Sequence, residues 1–269
     1  MEKFKYLWFT DTHLNNVLPW TKAFFIRNLI KERPKGIFLT GDISNGLTTT
    51  FNLKLLAKFV KCPIYFVLGN HDYYFSSIEE THDKIRKMCK QYPNLIWLTE
   101  SDIVGLTNEV ALIGTEGWYD ASIGEPDYLK YTLDWRLIKD FKKTQFMSER
   151  LDIFRKLADK SCSIISDKLN KALEQGYKSI YLLTHYPPWI EATRDAGTIM
   201  EKFWLPYNVN FRLGRAIEEV MVNHKKRNVT VLSGHIHCDA WIHVSRNIEC
   251  KVNKAKYYGN TRNEEHIFI

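Results

Sequence analysis

The chain has 269 residues, 45% of them hydrophobic and 26% charged, with a formal net charge of +7, a balance ordinary for a globular α/β protein. No apolar run approaches the roughly 18 residues of a membrane span. The first, Tyr6 to Phe9, is too short for a signal-peptide core and has no small-residue cleavage site after it, so the chain is read as cytoplasmic. The positive charge suits an anionic partner, but the lysines (Lys139, Lys142, Lys156, Lys168) spread along amphipathic stretches as a solvated face, and no basic run exceeds Lys225-Lys226-Arg227. Charge alone therefore does not choose between a small anion and nucleic acid.

In chain order the pattern is β-α-β-α-β-α, a β-rich middle, a long helical segment and a second β/α portion. Tyr6 to Phe9 reads as a strand, and Pro19 to Lys31 as a helix with apolar residues at Phe24, Phe25, Ile26, Leu29 and Ile30. Gly36 to Leu39 is the next strand, followed by a helix over 52–60, a strand over 64–68 and a helix over 76–91. Ser76 and Ser77 are candidate N-caps for that last helix. Leu95 to Leu98, Ile103 to Leu106 and Val110 to Gly114 predict a meander that extends the sheet or forms a second one. The stretch from about 127 to 175 is helical, broken near Thr144, with Gly176 a natural stop. Strands over 180–183, 229–232, 241–244 and 248–252 and a helix over 210–226 complete the chain. Without a Pro/Gly-rich linker or an internal repeat, residues 1–269 are read as a single domain with a helical insertion at about 127–175.

Five of the strands run directly into polar groups that bind divalent metals: Asp11 and His13, Asp42, Asn70-His71-Asp72, His185, and His235 with His237. Strands of one sheet deliver their C-terminal residues to a common edge, where α/β proteins build their sites. Asp11/His13 and His235/His237 are each two residues apart and point to one side of an extended backbone. Asp42 has two oxygens and can bridge two cations, and Asn70 offers a neutral oxygen. Seven donors, Asp11, His13, Asp42, Asn70, His185, His235 and His237, are too many for one ion with open positions and suit two ions sharing Asp42. Two such ions can hold a bridging hydroxide and polarise a phosphoryl oxygen. His71 is placed to protonate the leaving alkoxide, and Asp72 to orient an imidazole. The five cysteines are odd in number, with no C-x-x-C pair, which excludes a disulfide framework and a zinc ribbon. Cys238, beside His237, is read as a small buried hydrophobe.

With these blocks in order (Asp11-Thr-His13, Gly41-Asp42, Gly69-Asn70-His71-Asp72, Thr184-His185, Gly234-His235-Ile-His237) the sequence resembles the calcineurin-like metallophosphoesterases from Trp8 to about Gly259. The segment from about Trp118 to Gln175 is poorly matched. The resemblance implies an α/β fold, a four-layer α/β/β/α sandwich of two mixed sheets flanked by helices. It implies one metal on Asp11, His13, Asp42 and His237, a second on Asp42, Asn70, His185 and His235, and His71 as catalytic acid. It also implies two divalent or mixed-valence ions drawn from Mn, Fe, Zn and Ni. One departure stands out. Where protein Ser/Thr phosphatases of the superfamily continue Gly-Asp-x-x-Asp-Arg-Gly, this chain has Gly41-Asp42-Ile43-Ser44-Asn45-Gly46, which disfavours a dedicated protein phosphatase.

Substrate choice lies in loops. Trp118 is a candidate to stack a base or aryl group, Arg194 and Lys202 are candidate phosphate contacts, and Asn70 and His71 are candidate contacts as well. The expected function is hydrolysis of a small phosphorylated or nucleotide substrate, a phosphatase or phosphodiesterase reaction. A nuclease of the same fold is the alternative, and a non-catalytic binding module, which would be expected to have lost metal donors, is the third reading.

Overall fold

The computed structural model describes residues 4–125, 127, 132–195, 198, 199, 201–255 and 265–269. The first half contains β1 (Lys5–Phe9), α1 (Pro19–Glu32), β2 (Gly36–Thr40), α2 (Thr49–Phe59), β3 (Ile64–Val67), α3 (Ile78–Gln91) and β4 (Leu95–Trp97). A hairpin of β5 (Val104–Gly105) and β6 (Val110–Gly114) follows, then α4 (Asp134–Leu137), α5 (Lys139–Lys142) and α6 (Met147–Glu174). The rest is β7 (Ser179–Leu183), a ribbon of β8 (Arg194–Asp195) and β9 (Thr198–Ile199), α7 (Phe211–Met221), β10 (Asn228–Ser233), β11 (Ala240–Ser245), β12 (Ile248–Val252) and β13 (Glu265–Phe268).

Two mixed sheets result, one ordered β13-β1-β2-β3-β4 and the other β11-β12-β10-β7-β6-β5. In the first sheet β1 to β4 are parallel, and β2 and β3 are buried along their whole length. That is why they read as unbroken apolar runs instead of alternating ones. Tyr6, Trp8, Phe38 and Val67 of the first sheet pack against Leu112, Leu183 and Leu232 of the second. On the far face of the first sheet Leu7, Phe9, Ile37 and Phe66 meet Phe25, Leu29, Leu53 and Ile85 of α1, α2 and α3. On the far face of the second, Ile113, Leu182 and Val231 meet Ile165, Leu169 and Ile217 of α6 and α7. Helices, sheet, sheet and helices make the four layers expected.

Local chemistry sets the boundaries. Pro19 opens α1, where its missing N–H costs nothing. Ser77, and not Ser76, caps α3: its side chain accepts from Glu80 N at 3.2 Å while Glu80 reaches back to the cap. Two expectations are corrected. The meander divides between the sheets, β4 joining β3 in the first and the β5–β6 hairpin joining β7 in the second. The helical stretch is three helices, not a pair broken once: α4 and α5 are single turns, of which α4 reaches the site through Asp134, and only α6 covers a sheet face. Residues 126 and 128–131, near the start of that stretch, lie outside the described residues. β13, which pairs antiparallel with β1, and the β8–β9 ribbon had no sequence forecast. No helix among the described residues is long and apolar enough to cross a membrane.

Candidate metal centre

Strand register builds the site. Phe9, Leu39 and Phe66 lie side by side in the first sheet, so the turns after β1, β2 and β3 leave it at one level carrying Asp11, His13, Asp42, Asn70 and His71. Leu183 and Leu232 are neighbours in the second sheet, and the turns after them carry His185, His235 and His237. Five of these residues hold left-handed backbone: Asp11, His13, Asp42, His235 and His237, at φ of 48, 40, 50, 70 and 56°. Asp and His tolerate that region better than bulky residues, at a cost of order 1–3 kcal/mol each, and such strain collects at functional sites. Two glycines make room. A Cβ on Gly69 would fall on Asp42 Oδ1, and one on Gly234 would fall on Thr10 Oγ1 and Asp11 Oδ2.

All seven candidate donors converge. Asp11, His13 and His237 bring donor atoms within 4.8 Å of one another, as do Asp11, Asp42 and His185. His13 Nε2 is 3.3 Å from His237 Nε2, which is 3.2 Å from Asp11 Oδ1. Asp42 lies between the groups, with Oδ2 3.8 Å from His13 Nε2 and 3.7 Å from His71 Nε2, and Oδ1 3.5 Å from His185 Nε2.

The tautomers reveal what the cluster is built to hold. His185 Nδ1 lies 2.8 Å from Thr40 O and His235 Nε2 lies 2.9 Å from Tyr207 O. A carbonyl oxygen only accepts, so these two nitrogens carry the ring hydrogens. Burial depresses the pKa of both imidazoles and keeps them neutral. Their other nitrogens, His185 Nε2 and His235 Nδ1, are then bare lone pairs facing each other at 3.2 Å. Asn70 Oδ1 stands 3.1 Å from His185 Nε2, because the Asn70 amide nitrogen donates to Asp134 Oδ1 at 2.8 Å and Tyr74 OH at 3.1 Å. Three acceptors facing one another repel unless a cation joins them, and carbonyl-anchored imidazoles are the usual surroundings of metal ligands. The residues present fit a metal.

Electrostatics separates the two carboxylates. Burial raises the pKa of Asp42 well above normal, helped by the negative charges of Asp11 and Asp72. Burial pushes Asp11 the same way, but the hydrogen bond from His237 and the proximity of His185, His237 and His13 outweigh it and leave its carboxyl below the usual range. Burial lowers His13 to about 4 and His71 to about 3.

Expectations about four residues are corrected. Asp72 braces backbone instead of orienting an imidazole: it accepts from the backbone N–H of Ile43, Ser44 and Gly69 and from Thr49 Oγ1, holding the turn after β2 against the turn after β3. Trp118 is 3% exposed and packs among Tyr73, Phe141 and Tyr186, because an apolar ring at the end of a buried strand gains more from the core than from the rim. Arg194 is exposed on β8, where its Nε donates to Glu191 O at 3.2 Å. Neither it nor the exposed Lys202 is among the residues lining the cleft, whereas Asn70 and His71 are. Cys238 is half-buried. Asn45, at the position of the departure noted above, accepts from Thr48 Oγ1 at the start of α2.

Sequence reasoning missed Asp134. It is buried at the start of α4, where Asn70 Nδ2, Tyr74 OH and Tyr119 OH all donate to it, at 2.8, 2.8 and 3.3 Å. An aspartate inside a poorly matched segment carries no motif. The Thr40 and Tyr207 carbonyls were missed as well, since backbone groups leave no mark in a sequence.

The profile of the calcineurin-like phosphoesterase family matches residues 4–239. An uncharacterised protein of Acanthamoeba polyphaga mimivirus is 28% identical over 173 residues, which is 59% of this chain, and the match spans 58% of that relative's length. The fold is shared with a phosphopantetheinyl hydrolase of Mycobacterium tuberculosis (14% identity, TM-score 0.68, covering 98% of this chain and 95% of that one). A dimetal phosphatase from Danio rerio has it too (13% identity, TM-score 0.58, covering 93% and 87%). The chain belongs to the calcineurin-like phosphoesterase family.

Proposed function

We propose that the chain uses two divalent cations, sharing Asp42, to hydrolyse the phosphoester bond of a small phosphorylated molecule. The observation that carries this reading is the meeting of His185 Nε2, His235 Nδ1 and Asn70 Oδ1 as unprotonated donors, with contacts of 3.1 and 3.2 Å. One cation would be held by Asp11, His13, Asp42 and His237, the other by Asp42, Asn70, His185 and His235. When bound, such a pair brings the pKa of water toward neutrality and neutralises charge on the phosphoryl oxygens. In this reading residues 1–269 act as a single domain, and the insertion at about 127–175 serves the site through Asp134.

The chain's own residues supply the rest. The two carboxylates of the donor set carry less negative charge than two divalent cations carry positive, so attraction for an anionic phosphate remains. His71 lines the cleft with 20% of its side chain exposed. Its backbone N–H donates to Asp42 Oδ1 at 2.9 Å, which fixes the ring beside the shared carboxylate. Burial holds that ring neutral at pH 7, so the hydrogen it offers the departing oxygen is that of a neutral imidazole, a competent donor in a dry site. Asp72 keeps the turns bearing Asp42 and Asn70 at fixed separation, the positional precision in-line displacement needs.

Elemental analysis of protein loaded with manganese should find two ions per chain and turnover of p-nitrophenyl phosphate or its bis-ester. Protein that takes up no transition metal, or that cuts single-stranded oligonucleotide far faster than either small ester, would overturn the reading.

A further inference from the structure

We infer that the cleft beside the donor cluster is a subsite for an apolar, uncharged leaving group, so that the substrate is the phosphate ester of an aryl or alkyl alcohol; this rests on the phosphoesterase reading above. The cleft encloses about 820 Å³, room for a group of ligand size. Its walls beyond the donors include Tyr74, Leu133, Ile199, Trp204 and Tyr207. Leu133, Ile199 and Trp204 are 53, 40 and 47% exposed, so three large apolar side chains from two distant segments stand in solvent around one opening. Exposed apolar groups converging on a cleft mark a place where something apolar is received.

Both walls are tied to the donor cluster. Leu133 precedes Asp134, whose carboxylate holds the Asn70 amide at 2.8 Å. Trp204 packs edge-on against Tyr207 at 5.4 Å between ring centroids, and the Tyr207 carbonyl holds His235 Nε2 at 2.9 Å. The same two anchors that orient candidate metal donors therefore set how far the apolar walls stand from the reacting phosphate.

Charge points the same way. Apart from histidine, the charged residues among the described lining are Asp134 and Glu201, with no lysine or arginine. A nucleic acid or a nucleoside di- or triphosphate brings further phosphates, which are met by Lys and Arg, and this lining repels them. One phosphate on the cations and an apolar remainder against Trp204 is the arrangement the cleft accommodates.

The test keeps leaving-group basicity nearly constant by comparing 2-phenylethyl phosphate and hexyl phosphate with glycerol 3-phosphate, using the manganese-loaded enzyme. We expect kcat/KM for at least one apolar ester to exceed that for glycerol phosphate by about tenfold or more, the size of discrimination a modest apolar contact supplies. Trp204→Ala should bring that ratio close to one, and Trp204→Phe should restore most of it. A ratio near one in the unaltered protein, or a ratio that Trp204→Ala leaves untouched, overturns the subsite. A second readout needs no turnover: quenching of tryptophan fluorescence should give 2-phenylethylphosphonate a Kd about tenfold below that of methylphosphonate, and equal values overturn the subsite. If the phosphonate preference holds while no ester is hydrolysed, the subsite stands and the phosphoesterase mechanism fails; if esters are hydrolysed without apolar preference, only the subsite fails.

Discussion

The two sheets contribute unlike chemistry to one centre. The first supplies both carboxylates, the amide and one imidazole of the donor set, Asp11, Asp42, Asn70 and His13, within a short stretch of chain. The second supplies imidazoles alone, His185, His235 and His237, and Asn70 and His185 are 115 residues apart in sequence though 3.1 Å apart in space. The negative charge thus comes from the half whose strands β2 and β3 are buried along their whole length, and the second half adds imidazoles, two of which, His185 and His235, are locked by backbone carbonyls of both halves, Thr40 O and Tyr207 O. A carboxylate can bridge and compensate charge, whereas a neutral imidazole can only complete a shell, so the halves should fail differently.

The largest expected effect breaks the charged half. Asp42→Asn should lose both ions and on the order of 10³-fold or more in turnover, because the group shared between them is gone. His235→Ala should lose one ion and keep the other. Metal content per chain, measured beside p-nitrophenyl phosphate turnover, checks the contrast; equal metal loss in the two variants would mean that Asp42 is not shared.

His71 belongs to the first half but to neither proposed donor set. His71→Ala should keep both ions and lose about 10²–10⁴-fold in turnover, most for esters of basic alcohols, where departure needs a hydrogen most. Rates across a series of leaving groups would show it as a steeper dependence on leaving-group pKa. Release of metal by this variant would instead make His71 a ligand.

A smaller effect sharpens the boundary between the halves. Asp134, brought in by the insertion, orients Asn70 through its amide nitrogen. Asp134→Ala frees the amide to turn and should weaken one of the two metal affinities by about 10–100-fold, leaving the other near its original value. Isothermal titration with manganese resolves the two steps. Uniform weakening of both would demote Asp134 to general support of the fold.

Both halves were partly legible in the sequence, and for a physical reason. Asp11, Asp42 and Asn70 could be read because each closes an unbroken apolar run, and a buried parallel strand leaves that trace wherever it occurs. His185 and His235 were legible for the same reason. What faces the site from outside the strands was not. Asp134 sits on a single-turn helix with no periodicity to announce it. Trp118 looked like a rim residue because strand ends are near the rim, and whether a ring turns inward depends on neighbours such as Tyr186 that sequence spacing does not place. The split of the predicted meander at Trp97 was equally hidden, since short strands carry the same apolar pattern whichever sheet they join.

The smallest expected effect concerns what holds the halves together. Lys168 on α6 reaches the carbonyls of Leu98 and Thr99, which follow β4 of the first sheet, and that of Gly114, which ends β6 of the second. Burial pulls its pKa down to about 8, against smaller opposing effects of Glu116, Asp102 and Glu100. In the unfolded chain a lysine titrates near 10.4, so between about pH 8 and 10.4 the folded form has released a proton that the unfolded form still holds. Stability rises with pH wherever the unfolded state binds more protons. The cost of the buried charge is therefore fully present below pH 8 and relieved on moving through that window. Lys168→Met, which has no proton to lose, should lack this term. Subtracting its urea-unfolding free energy from that of the unaltered protein at pH 7, 9 and 10.5 should reveal a relative gain on the order of 1 kcal/mol, after discounting for solvent screening. A difference that stays flat across the three pH values would show that the Lys168 ammonium is as well solvated among those carbonyls as in water, and that the clamp between the sheets carries no charge penalty.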